Sequence, residues 1–81
     1  MKINVRLFAV AKEFAGSDSI EVDLPVACTA NDLRRIVCER IPRLKSFGSQ
    51  LRFAVDAEYA MDSTPIRETS EVACIPPVSG G

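Results

Sequence analysis

The last seven residues, Ile75 to Gly81, read IPPVSGG and end on two glycines at a free carboxylate. Gly80 and Gly81 lack a Cβ, so this end can pass through a narrow channel and take whatever dihedrals an enclosing enzyme imposes. The terminal carboxyl, with an ordinary pKa of about 3.5, is ionised at neutral pH and is a poor electrophile. It becomes a reagent only when activated. Joined to AMP from ATP it would carry a good leaving group. A sulfur donor would displace that group to leave a thiocarboxylate, or a lysine amine would displace it to form an isopeptide. In both cases the chain contributes a carrier and the catalytic machinery belongs to other proteins. Pro76 and Pro77 fix φ near about −65° and favour polyproline II, so the departing segment is stiff and cannot turn back as a helix. Extended, residues 76–81 span at most about 20 Å, enough to thread a partner's active site while the body docks outside. The competing reading is a tail of no consequence.

The remaining composition offers little other chemistry. The 81 residues contain no histidine, which removes the commonest general base and the commonest metal ligand. Cys28, Cys38 and Cys74 are odd in number and lack a Cys-x-x-Cys spacing, so neither a disulfide framework nor a zinc site is indicated. Each lies in or beside an apolar run and reads as a small buried residue in a reducing compartment, Cys28 standing nearest a loop. Charge is uneven: eight Lys/Arg stand against six Asp/Glu in residues 1–45, and two against five in residues 46–81. The cluster Arg34, Arg35, Arg40, Arg43 and Lys45 has no interleaved aromatics in a chain of pI 5.3, so nucleic acid is not expected. A solvated helix face fits better, with an acidic partner as the other option. No window is long and apolar enough to span a membrane, and the N-terminus lacks a signal-peptide pattern, so a cytoplasmic protein is expected.

The elements that must hold the tail follow from periodicity. Residues 2–9 alternate Lys2, Asn4 and Arg6 with Ile3, Val5 and Leu7, a strand with one buried face; Phe8 then falls on the polar face. Phe8 is either a core residue or an exposed anchor for a partner. VAKEFAG predicts a helical turn closed by Gly16, and SIEVDL, with Ile20, Val22 and Leu24, a second strand. Thr29 and Asp32 resemble a capping box opening a helix whose stripe is Leu33, Ile36, Val37 and Ile41, with Arg34, Arg35 and Glu39 facing away and Pro42 ending it. LRFAVD is a third strand, Glu58 to Met61 a short and weakly marked segment, 62–70 loop, and EVACI the last strand, halted by Pro76 and Pro77. One helix lying across a mixed sheet of four or five strands would bury every stripe, which predicts an α+β fold, the β-grasp or ubiquitin-like roll, over residues 1–75 with 76–81 as an extended tail. So small a body leaves little room for a deep catalytic cavity.

Phe8, Ala9, Glu13 and Gly16, with Lys12 where arginine is usual, match a stretch F-A-x-x-R-E-x-x-G, and Pro76, Pro77, Val78, Ser79, Gly80 and Gly81 match P-P-V-[ST]-G-G. Both occur in the small subunits of molybdopterin synthase, ubiquitin-like sulfur carriers, and the chain resembles that family end to end. Glu68-Thr69-Ser70 departs from its usual Asp-Gly-Asp, so that turn must close without glycine, and Cys74 stands where an aromatic is common.

The resemblance implies that an adenylating, E1-like enzyme activates Gly81 with ATP and magnesium, that no cofactor is bound permanently, and that a sulfur transferase forms the thiocarboxylate. It implies a large synthase subunit, commonly in a heterotetramer, that receives the tail. There two carriers in turn supply the sulfurs of the molybdopterin dithiolene, built on cyclic pyranopterin monophosphate. Gly81 would bear the sulfur, Gly80 form the slender neck, and Val78 and Phe8 meet the partner. Sulfur carriers of thiamine or cysteine synthesis share the Gly-Gly end, as does a ubiquitin-like modifier that forms isopeptides. A plain interaction domain would need no free terminus.

Overall fold

A computed structural model describes residues 1–77. Strand β1 (Lys2–Leu7) buries Ile3, Val5 and Leu7, as the alternation predicts, but it stops one residue before Phe8. Ala9, at φ 51°, turns the chain into helix α1 (Ala9–Ala15), so Phe8 becomes the residue before a helix and not the end of a strand. Gly16 closes α1 at φ 73°, a left-handed position suited to glycine, and its N–H donates to the Lys12 carbonyl. Strand β2 (Ser19–Asp23) returns antiparallel to β1.

Strand β3 (Cys28–Thr29) leads into helix α2 (Ala30–Arg40), whose start is the predicted capping box. The Thr29 N–H donates to Asp32 Oδ2 at 2.9 Å, and the Asp32 N–H donates back to Thr29 Oγ1 at 3.4 Å. The Thr29 N–H first, then its hydroxyl, hold the Asp32 carboxyl below its usual range. A carboxylate whose folded pKa is depressed adds stability that is complete above the unfolded value of about 3.9 and fades as pH falls through the lower folded value. Urea unfolding between neutral and acid pH should therefore show an acid loss of stability that Asp32→Asn makes shallower. Thr29→Ala should cost about 0.5–2 kcal/mol by the same assay.

Leu33, Val37 and Ile41 are buried and Ile36 half-buried, so the predicted stripe is the packing face of α2. After Pro42 the chain enters a 3-10 segment (Pro42–Gln50), kinked at Gly48, which buries Leu44 completely. Strands β4 (Arg52–Val55) and β5 (Glu58–Tyr59) form a hairpin. Both residues between them, Asp56 and Ala57, have positive φ, 52° and 70°, as a tight primed turn requires. Alanine in this conformation costs about 1–2 kcal/mol. Ala57→Gly is expected to raise the melting temperature, recovering up to about 1 kcal/mol after glycine's greater unfolded-state entropy is deducted.

Residues 62–70, expected as loop, contain strand β6 (Pro65–Ile66), which pairs with β3 in a separate two-stranded sheet. Cys28 is thus in a strand, and Ile66 is a core residue. Two-residue strands show no alternation, which is why the sequence carried no sign of them. The turn at 67–70 closes without glycine: Ser70 N–H donates to the Arg67 carbonyl, and Arg67 N–H donates to Ser70 Oγ, each at 2.9 Å.

Strand β7 (Val72–Ile75) completes a five-stranded sheet in the order β2-β1-β7-β4-β5. It lies parallel to β1 and antiparallel to β4, so the last strand of the chain is the central one. One apolar cluster joins the inner faces of β1, β4 and β7 to α2 and the 3-10 segment, with no buried polar side chain among the described residues. This is the α+β, β-grasp arrangement.

Candidate functional site

The expected reactive end begins where β7 leaves the sheet. Val72 and Cys74 point into the core and Ala73 and Ile75 to the open face, as alternation through EVACI requires. Ile75 pairs with Arg52, and the Cys74 carbonyl accepts from the Phe8 N–H at 3.2 Å. The tail is therefore rooted in the central strand of the sheet, flanked on both sides. Pro76 is buried and Pro77 half-buried against the body. Val78, Ser79, Gly80 and Gly81 lie outside the described residues.

On the sheet face opposite α2 is an open depression of about 880 Å³, lined among others by Arg6, Phe8, Ala54, Tyr59, Ala73 and Ile75. Phe8 is 42% exposed, which removes its core reading. The Arg6 guanidinium carbon lies 5.4 Å from the Phe8 ring centroid, and that of Arg52 lies 4.0 Å from the Tyr59 ring. Two aromatics, each beside an arginine, thus stand on the face that also carries Ile75. Tyr59, 58% exposed, escaped the sequence reading because its strand is too short to show a period.

The basic cluster is not a single patch. Arg34, expected to face away, folds back: its Nε donates to the Leu51 carbonyl at 3.2 Å and its Nη1 pairs with Asp62 Oδ1 at 2.7 Å, over the Phe53 ring. Its long stem covers core surface while the head finds acceptors from another element, a compromise that helical spacing does not reveal. Arg35 reaches Glu39 at 3.7 Å, Arg40 donates to the Glu21 carbonyl at 2.8 Å, and the Arg43 guanidinium carbon sits 4.0 Å from the Phe14 centroid. Four of the five cations thus serve intramolecular contacts.

Nor do the cysteines form a reactive centre. Cys28 and Cys74 are buried and Cys38 half-buried, all free. Burial pushes the Cys74 thiol up to about 12, with Cys38 adding to the rise, and burial raises the other two as well. The thiolate is the nucleophile, so these thiols are poorly placed to accept or pass on sulfur. Iodoacetamide at neutral pH should spare Cys28 and Cys74 in the folded protein and add three groups in denaturant, read by intact mass. Rapid triple labelling of the native state would contradict the packing.

What remains is a folded plug with a terminal segment on its central strand, and comparison with known proteins assigns that arrangement. The model of the ThiS family matches residues 5–81. The chain belongs to the ThiS family. The molybdopterin synthase sulfur carrier subunit of Dictyostelium discoideum is 39% identical over 83 residues, covering 99% of this chain and 96% of the relative. That of Caenorhabditis briggsae is 34% identical over 83 residues, covering 100% and 99%. Among solved structures, SAMP1 of Haloferax volcanii, a small archaeal modifier protein, superposes with a TM-score of 0.84 at 29% identity and covers 100% of both chains. No helix among the described residues is long and apolar enough to cross a membrane.

Proposed function

We propose that this protein is the sulfur carrier of a molybdopterin synthase, with Gly81 as the group that is charged and discharged. The observation that carries the reading is the similarity to molybdopterin synthase sulfur carrier subunits over the length of the chain, and the Pro76-Pro77-Val78-Ser79-Gly80-Gly81 terminus of the sequence supports it. The Gly81 carboxylate attacks the α-phosphorus of ATP bound with magnesium in an adenylating partner, and pyrophosphate leaves. Hydrosulfide supplied through a sulfur transferase then attacks the acyl carbon and expels AMP, leaving the thiocarboxylate. Carried into the large synthase subunit, that sulfur is transferred to cyclic pyranopterin monophosphate, and a second carrier supplies the other sulfur of the dithiolene. Water regenerates the carboxylate after each transfer.

The body's part is to dock and aim. Phe8 and Ile75 on the open sheet face give partners an apolar contact next to the tail root, with Pro76, Pro77, Val78 and Ser79 leading from it and Gly80 as the neck that enters the partner's channel. A heterotetramer of two carriers and two large subunits in the cytoplasm fits this role, and free cysteines suit that compartment.

A second reading, a modifier that forms isopeptides on target lysines, is favoured by the likeness to the archaeal modifier protein. Incubation with an adenylating enzyme, ATP, magnesium and a sulfur source separates the two. A gain of about 16 Da on the free protein is the oxygen-to-sulfur exchange expected here, whereas a ladder of covalent conjugates without it marks the modifier. Recovery of a pterin-binding large subunit in a pull-down would separate this pathway from carriers of thiamine or cysteine synthesis.

A further inference from the structure

A second depression, of about 770 Å³, lies on the other side of the tail root, between α1 and the 3-10 segment. Val10, Lys12, Glu13, Phe47, Gln50 and Pro77 line it together with Ala9. Its walls are unusual in backbone as well as in position. Ala9, immediately before Val10, has φ 51°; Gly48, immediately after Phe47, has φ 56° and ψ −131°. Nothing lies within 4 Å of a Cβ built on Gly48, so the demand for glycine there is conformational. Left-handed alanine costs about 1–2 kcal/mol, and such strain persists where the surroundings over-determine it. Here the surroundings are the tail strand itself: the Phe8 N–H donates to the Cys74 carbonyl, tying the Ala9 turn to β7. Lys12 on the rim is engaged by Asp18 at 2.9 Å, which leaves Val10 and Phe47, both half-buried, as the large apolar side chains that line the notch together with Pro77.

We propose that this notch is the seat of the tail root, and that Val10 and Phe47 are positioning residues that set the direction in which the chain continues past Pro77. The inference rests on the reading of Gly81 as the charged group. Proline has already lost its φ freedom, so ring contacts on one side suffice to orient it. The lever is long. Four residues reach at most about 13 Å, so a tilt of about 20° at Pro77 would move the tip of a fully stretched end by about 4–5 Å. Misplacement of a reacting group by about 1 Å can cost about a hundredfold in rate. Glycines at the tip let an enzyme correct part of the error, so a smaller loss is expected.

The test compares the wild-type protein with Phe47→Ser, Phe47→Leu and Val10→Ser, measuring kcat and KM for thiocarboxylate formation beside the melting temperature. The two serine variants should lose about tenfold or more in kcat with KM within about twofold, and Phe47→Leu, which restores an apolar wall, should recover most of it. Serine variants that charge at the wild-type rate, a loss confined to KM, or a leucine variant as slow as the serine one would each overturn the seat. A nuclear Overhauser contact between the Pro77 ring and the Phe47 ring, read on the wild-type protein alone, tests it without any charging reaction or variant, and its absence would also overturn it. Failure of the wild-type protein to gain mass would instead count against the reading of Gly81.

Discussion

A chain lacking Gly81 is expected to gain no sulfur at all, while its melting temperature and far-ultraviolet circular dichroism match those of the intact protein. The deletion leaves a carboxylate, now on Gly80, with the same intrinsic chemistry, so the loss would be one of reach. The acyl carbon retreats by about 3.3–3.6 Å along an extended chain, and an activating site that holds reacting atoms within about 3–3.5 Å of one another cannot absorb that shift. Folding should be untouched because the apolar core of the described residues lies within residues 3–74, and removal of one terminal glycine takes no side chain from it. Intact mass after incubation with the adenylating enzyme, ATP and a sulfur source gives the answer. Sulfur uptake by the shortened chain at the full rate would sink the proposal that Gly81 is the charged residue.

The second large effect is structural. Phe53 is the largest of the fully buried side chains and sits opposite Cys74 where β4 pairs with β7. Phe53→Ala should cost about 3–5 kcal/mol through lost transfer energy and the cavity left behind. The whole domain is worth only about 4–12 kcal/mol by the usual per-residue range, so the variant should be close to unfolded at physiological temperature. At about 4–8 °C per kcal/mol for a domain of this size, its melting temperature should fall by more than about 12 °C. Arg34, whose guanidinium carbon lies 5.9 Å from the Phe53 ring centroid, would lose its stacking partner as well. Charging of Gly81 should fail in proportion to the unfolded fraction and return on cooling, unlike the Gly81 deletion, which temperature cannot rescue. Thermal unfolding together with charging at two temperatures checks both parts.

These two expected outcomes assign stability and the proposed chemistry to different parts of the chain. The sequence has no histidine, and no reactive thiol or metal-binding cluster is found among the described residues 1–77. The proposed chemistry depends on four residues beyond them. Under the proposed function, such a division would let one body serve several enzymes in turn, each needing only to recognise the sheet face and accept the same two glycines.

Much of this was legible without coordinates, because the relevant signals are local. The alternation of Ile3, Val5 and Leu7, the stripe of Leu33, Val37 and Ile41, and the reciprocal Thr29 and Asp32 cap depend on neighbours a few residues apart, and each appears where expected. The chemistry proposed for the Gly80-Gly81 terminus rests on residue type alone. What only the tertiary structure decided involves partners distant in sequence. Pairing of β3 with β6 joins two-residue strands that have no period to betray them, and Arg34 finds its acceptors at Leu51 and Asp62. Phe8 looked like the end of a strand until the Ala9 turn and its bond to Cys74 put it on the surface beside the tail. The notch at Pro77 belongs to the same class, since its walls come from segments nearly forty residues apart. Periodicity records which face of an element avoids water, whereas the identity of what covers that face depends on chain closure over long loops, which no short window of sequence contains.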